Sequence, residues 1–142
     1  MKKPHLFLTE PDFVRLMALQ ADAPLWAELE RAMVVAPDAI PSNVITMNSH
    51  VRYRDEHADV SRQIQIVYPE EADFEQGKVS VLAPVGAALL GLQVGQVIDW
   101  NFPGGETRRL RVEEVIYQPE TAAREQAARR SSGDSTMVAS AA

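Results

Sequence analysis

Residues 78–118 read KVSVLAPVGAALLGLQVGQVIDWNFPGGETRRLRVEEVIYQ, and this stretch decides the fold. Val79 to Leu82 have strand composition. Pro84 then opens a short helix carrying Val85, Leu89 and Leu90, because proline suits a first turn that needs no backbone N–H. Gly91 stands where a left-handed residue ends such a helix. Val94-Gly95-Gln96 turns the chain into a strand over Val97 to Phe102. Pro103-Gly104-Gly105 makes a tight turn with positive φ, and Leu110 to Tyr117 returns as a strand.

Working outward, Arg62 to Tyr68 alternates polar and apolar residues and stops at Pro69. Its expected inner face is Ile64, Ile66 and Tyr68. Val51-Arg52-Tyr53-Arg54 is its hairpin partner across the charged turn Asp55 to Asp59, and Val44 to Asn48 has strand composition too. The acidic run Glu70, Glu71, Asp73 and Glu75 reads as a solvated loop closed by Gly77, with a minority reading as a divalent-ion or basic-partner contact. About five strands with one short helix across them make an α+β domain with an antiparallel sheet, expected over residues 44–119.

Upstream, Thr9-Glu10-Pro11-Asp12 is a helix start, with Thr9 as cap and acids near the positive end. Phe13, Leu16 and Met17 follow helical spacing. Asp22-Ala23-Pro24 interrupts the pattern, and Leu25, Leu29, Ala32, Met33 and Ala36 resume it until Pro37. Two helices joined by so short a turn run antiparallel, so residues 9–36 predict a helical hairpin within an arm and linker spanning 1–43. Isolated helices of about 13 residues are marginal in water, so the arm must lean on the domain or on a partner. Residues 120–142 lack apolar periodicity and predict a disordered tail, with at most a frayed helix over Thr121 to Arg130.

The net charge of −6 is spread so that no segment is basic, which argues against direct tight binding of nucleic acid. There is no cysteine, so thiol catalysis, disulfides and cysteine-based zinc sites are excluded. No stretch approaches the roughly 18 apolar residues of a membrane span, and a soluble cytoplasmic protein is expected. His5, His50 and His57 lack ligand spacing. A weak site joining His50 and His57 with Asp55 or Asp59 is the only metal arrangement they suggest, and surface histidines are the commoner case. Phosphate-loop, nucleophile-elbow and dinucleotide fingerprints are absent, and Gly86, Gly91 and Gly95 read as punctuation. No catalytic residue, cofactor or metal ligand is expected.

The run Val79 to Gly91, followed by Val94-Gly95 and Pro103-Gly104-Gly105, resembles the C-terminal domain of the transcript-cleavage factors GreA and GreB. The match runs over about residues 44–119, with the arm agreeing by architecture only. The resemblance implies an FKBP-like domain carrying a short antiparallel coiled coil. It implies docking on RNA polymerase at the rim of the secondary channel, in possible competition with Gre factors. In the cleavage factors the docking turn precedes the short helix, which corresponds here to Leu82, Ala83 and Pro84. Leu82 and Ala83 replace acidic and hydroxyl residues, so an apolar contact is expected from Leu82, while Pro84 keeps the turn.

The family's coiled-coil tip carries two acidic residues that help hold a catalytic magnesium. The tip here, Asp22-Ala23-Pro24, offers one carboxylate, with Glu28 more than a turn away and Glu30 further still. A short arm with that tip implies a Gre relative that binds polymerase without stimulating cleavage. Two other readings compete. An FKBP-type prolyl isomerase needs an apolar pocket lined by several aromatics, and this chain's are few and dispersed. A module contacting a nucleoside diphosphate kinase directly is implied by resemblance alone.

Overall fold

The computed structural model describes residues 6–19, 27 and 29–141, with residues 131–141 described by backbone alone. In chain order the elements are β1 (Phe7–Thr9), α1 (Glu10–Met17), β2 (Met33–Val35), β3 (His50–Asp55), β4 (Val60–Val67), β5 (Lys78–Ser80), α2 (Pro84–Leu89), β6 (Val97–Asn101), β7 (Thr107–Tyr117) and α3 (Pro119–Ala141). Single 3-10 turns occupy Pro37–Ala39, Pro69–Glu71 and Phe74–Gln76. Ala27, Leu29 and Glu30 are helical as well.

The expected α+β class stands. A five-stranded sheet has the order β5-β4-β3-β7-β6, and a separate pair joins β1 to β2. Central β3 pairs antiparallel with β4 and with β7, and β6 returns antiparallel to β7. Alternation sets the faces: Val51 and Tyr53, Ile98 and Trp100, and Leu110 and Val112 point into the core beside Ile66 and Tyr68. The opposite face carries ion pairs, among them Arg52–Glu114 at 2.8 Å, Arg109–Asp99 at 2.9 Å and Arg111–Glu56 at 3.0 Å. Helix α2 lies on the inner face and buries Ala87, Ala88 and Leu89. Gly91, at φ +83°, ends it in the left-handed region, as its position predicts. Gly104 and Gly105 also take positive φ in the β6–β7 turn.

Four expectations are corrected. First, the sheet is not wholly antiparallel: β5 runs parallel to β4, with Ile66 opposite Val79. The two 3-10 turns between them bring the chain back so that β5 enters in the direction of β4. Second, Val44 to Asn48 is not a strand. Ile45 donates to the Leu92 carbonyl and accepts from Gly91, while Asn48 at φ +68° ends the extended run. Third, the helical pattern expected to reach Ala36 ends earlier. Met33–Val35 form a strand parallel to Phe7–Thr9, and the Met33 N–H donates to the Leu6 carbonyl at 2.8 Å. Val34 and Val35 are β-branched and fit a strand better than a helix end.

Fourth, the expected disordered tail is helix from Pro119 to Ala141. Gln118 explains its start. Its buried amide donates to the carbonyls of Pro41 and Val44, both at 2.8 Å, while Thr121 donates to its side-chain oxygen. Arg124 then reaches the Pro37 carbonyl at 2.9 Å. Among the described residues no helix is long and apolar enough to cross a membrane.

Candidate functional site

The turn between β5 and α2 is built by Ser80. Its hydroxyl accepts the Leu82 N–H at 3.0 Å, and its carbonyl accepts the Ala83 N–H at 2.9 Å. Two neighbouring N–H groups are thereby satisfied before the helix begins. Pro84 stands in the first helical turn after the Ala83 cap, as the sequence predicts. Val81 points inward and is fully buried, which turns Leu82 outward, 41% exposed. Leu82, Ala83 and Pro84 are therefore contiguous at the sheet edge, with Leu82 the apolar projection.

Gly86 holds this turn down. A Cβ there would lie 2.4 Å from the Ser80 carbonyl oxygen and 3.1 Å from the Val81 Cα, so α2 packs directly on backbone that any side chain would displace.

A second cluster fixes the arm. Thr9 caps α1 by accepting the Asp12 N–H at 3.3 Å. The Asp12 carboxylate accepts the Tyr68 hydroxyl at 3.0 Å and the Met47 N–H at 3.2 Å. Burial pushes the Asp12 carboxyl above its ordinary value, opposed by the Tyr68 hydrogen bond and reinforced by nearby Glu120. The Tyr68 hydroxyl is pushed up as well, first by burial and then by Asp12. The Arg15 guanidinium lies 3.6 Å from the Tyr68 ring centroid and pairs with Glu70. Glu120 at the start of α3 accepts the Thr46 hydroxyl at 2.7 Å. Arm, sheet and C-terminal helix thus meet at one polar junction.

The tip residues Asp22, Ala23 and Pro24 lie outside the described residues, as does His5. His50 and His57 are not brought together in a shared contact: His50 packs edge-on against Tyr117 at 5.6 Å, while the His57 backbone N–H donates to Asp55. Among the described residues no three His, Asp or Glu side chains are grouped to hold a metal ion. Sequence reasoning noted the acidic run at 70–75 but missed Phe74 within it, which is 90% exposed. The available signal was an aromatic flanked by Asp73 and Glu75 next to a glycine turn, a setting that favours exposure without fixing it.

The edge turn, the α2 packing and the β6–β7 hairpin define a Gre-type C-terminal domain. The family described as "Transcription elongation factor, GreA/GreB, C-term" matches residues 40–117, more than half of the chain, and the chain belongs to that family. Over nearly its whole length it is also similar to the "Regulator of nucleoside diphosphate kinase" of Escherichia coli K12, 44% identical over 132 residues covering 86% of this chain and 96% of that protein. The GreA of Thermodesulfovibrio yellowstonii is 37% identical over 79 residues, 56% of this chain but 50% of that factor. A solved structure, "Prokaryotic transcription elongation factor GreA/GreB from Nitrosomonas europaea", superposes with a TM-score of 0.64 at 44% identity, over 81% of this chain and all of that one. The chain is a Gre-like member of the transcription factor family.

Proposed function

We propose that this protein is a non-catalytic regulator that docks on RNA polymerase at the rim of the secondary channel and competes there with Gre factors. The observation that carries the reading is the Ser80–Pro84 turn. It corresponds to the turn from which the family resemblance leads us to expect docking, is fixed by Ser80 and Gly86, and projects Leu82 into solvent. Such a contact is apolar where the cleavage factors use polar groups. The arm spans too few residues to carry a tip to the reaction centre, and Asp22 lacks a nearby second carboxylate, so the protein occupies the rim without stimulating transcript cleavage.

The prolyl isomerase alternative fits poorly. Tyr53, Tyr68 and Trp100 are buried in the core, whereas such a site needs its aromatics open to a ligand. Direct action on a nucleoside diphosphate kinase is favoured only by the name of the E. coli relative.

Purified protein is expected to bind core RNA polymerase at micromolar concentration, to be displaced by a Gre factor, and to leave backtracked transcripts uncleaved. Leu82→Asp should weaken binding at least about tenfold, the loss expected for an apolar anchor exchanged for a charge. No binding by the wild-type protein at micromolar concentration overturns the reading. Undiminished binding by a folded Leu82→Asp variant removes the proposed turn.

A further inference from the structure

Phe74 has the most exposed large apolar side chain among the described residues, at 90%, followed by Val14 at 68%. A phenylalanine carries one of the larger apolar surfaces a residue can bury, and placing it in water on a domain with an ample core needs a reason. Nothing in the surrounding backbone is loose. The Asp73 N–H donates to the Lys78 carbonyl and the Lys78 N–H to the Asp73 carbonyl, both at 2.9 Å. Within that closed bridge the Gly77 N–H donates to the Phe74 carbonyl at 3.0 Å. Just upstream the Ala72 N–H donates to the Pro69 carbonyl, and Arg15 on α1 pairs with Glu70. Phe74 is therefore presented on a rigid knuckle, and little conformational freedom is left to lose when it is covered.

The charge around it selects the partner. Glu70, Glu71, Asp73 and Glu75 lie within a few residues of the ring. Glu70 is neutralised by Arg15, whereas Glu71, Asp73 and Glu75 make no ion pair among the described residues. A surface of this sign repels nucleic-acid phosphates, and a second copy of a chain with net charge −6 is poorly matched to it. It complements a protein surface on which lysines and arginines ring an apolar pocket.

Its place in the fold joins it to the docking turn. The knuckle enters β5 at one end, and the Ser80–Pro84 turn leaves β5 at the other. β5 is an edge strand of three residues, about 10 Å at the rise of extended chain, so one partner surface spans both ends.

We infer that the segment Pro69–Gly77 is a second docking element, with Phe74 as its apolar anchor and a basic, pocketed surface of RNA polymerase as its partner. The inference takes its partner from the polymerase reading above. Its test is binding of core RNA polymerase by the full-length wild type, Phe74→Ser, Leu82→Asp and the double variant Glu71→Gln/Glu75→Gln, with thermal melts of each. Phe74→Ser is expected to lower affinity at least about tenfold while leaving Tm unchanged, since the side chain is almost wholly solvated. The double variant is expected to slow association and flatten its salt dependence.

Binding by Phe74→Ser within twofold of wild type overturns the inference and leaves the polymerase reading standing. A wild type that does not bind overturns both. A Tm loss in Phe74→Ser assigns the residue a structural role and also overturns it. Wild-type dimers that Phe74→Ser converts to monomers make a second copy the occupant, with the same result.

Discussion

Gly86 is the residue on which the edge turn depends. Its missing Cβ would sit 2.4 Å from the Ser80 carbonyl oxygen, and both that oxygen and the Val81 Cα are backbone that cannot rotate away. Gly86→Ala must therefore lift α2 from β5, at a cost of about 1–3 kcal/mol for overpacking a tight contact. A urea titration that finds the variant as stable as wild type would contradict this packing. Gly91 is constrained twice over, by φ +83° and by Leu6 Cδ1 lying 1.8 Å from where its Cβ would be. The sequence marked Gly91 as a helix stop, because a glycine after a short apolar helix is a local signal. It gave no sign that Gly86, inside that helix, was needed for close approach.

Among the elements, α1 is held by Leu16 in the core and by the junction at Asp12. Tyr68→Phe removes the hydroxyl that donates to this half-buried carboxylate and should cost about 1–3 kcal/mol, the net worth of a hydrogen bond to a partly desolvated charged group. The same junction predicts a pH dependence of definite sign. Burial raises the Asp12 carboxyl in the folded protein above its unfolded value. The stability it contributes is therefore present at low pH and lost as pH rises through the folded value. Asp99 has the opposite sign: the hydrogen bond from Arg109 holds it low, so its contribution is lost as pH falls. Asp12→Asn abolishes the first dependence, and the Tm difference, variant minus wild type, should rise between about pH 4 and pH 7. Thermal melts across that range check it, and a difference that falls with pH would refute it.

At the scale of the whole molecule, the arm and the sheet share one core. Leu8, Leu16 and Leu29 are buried in the same cluster as Ile45, Tyr68, Leu90 and Trp100. The expected division at residue 43 thus separates stretches of sequence whose apolar surfaces pack together. A chain starting at residue 44 loses four buried leucines, Leu6, Leu8, Leu16 and Leu29, and buried Ile40, each contributing about 1.5–3 kcal/mol against a total stability of about 5–15 kcal/mol for a domain. It should show no cooperative melt, or one lowered by tens of degrees, whereas the full chain should unfold in a single transition. Circular dichroism of the two chains distinguishes these outcomes. A fragment as stable as the full chain would show that the arm is an independent appendage.

What the sequence determined by itself was everything set by neighbours along the chain. Alternation at 62–68 gave β4 its faces, Thr9 and Pro84 marked two helix starts, and Gly91 and Gly104-Gly105 gave the positive-φ positions. These follow from backbone sterics and side-chain period, which act over a few residues. Only the tertiary structure decided the parallel entry of β5, the strand at Met33–Val35, the anchoring of α3 through Gln118 and the exposure of Phe74. Each depends on which distant surface is present to accept a hydrogen bond or cover a ring. Local composition constrains that choice weakly, because Val34 pairs only where Leu8 lies beside it, and Phe74 is exposed only because nothing folds over it.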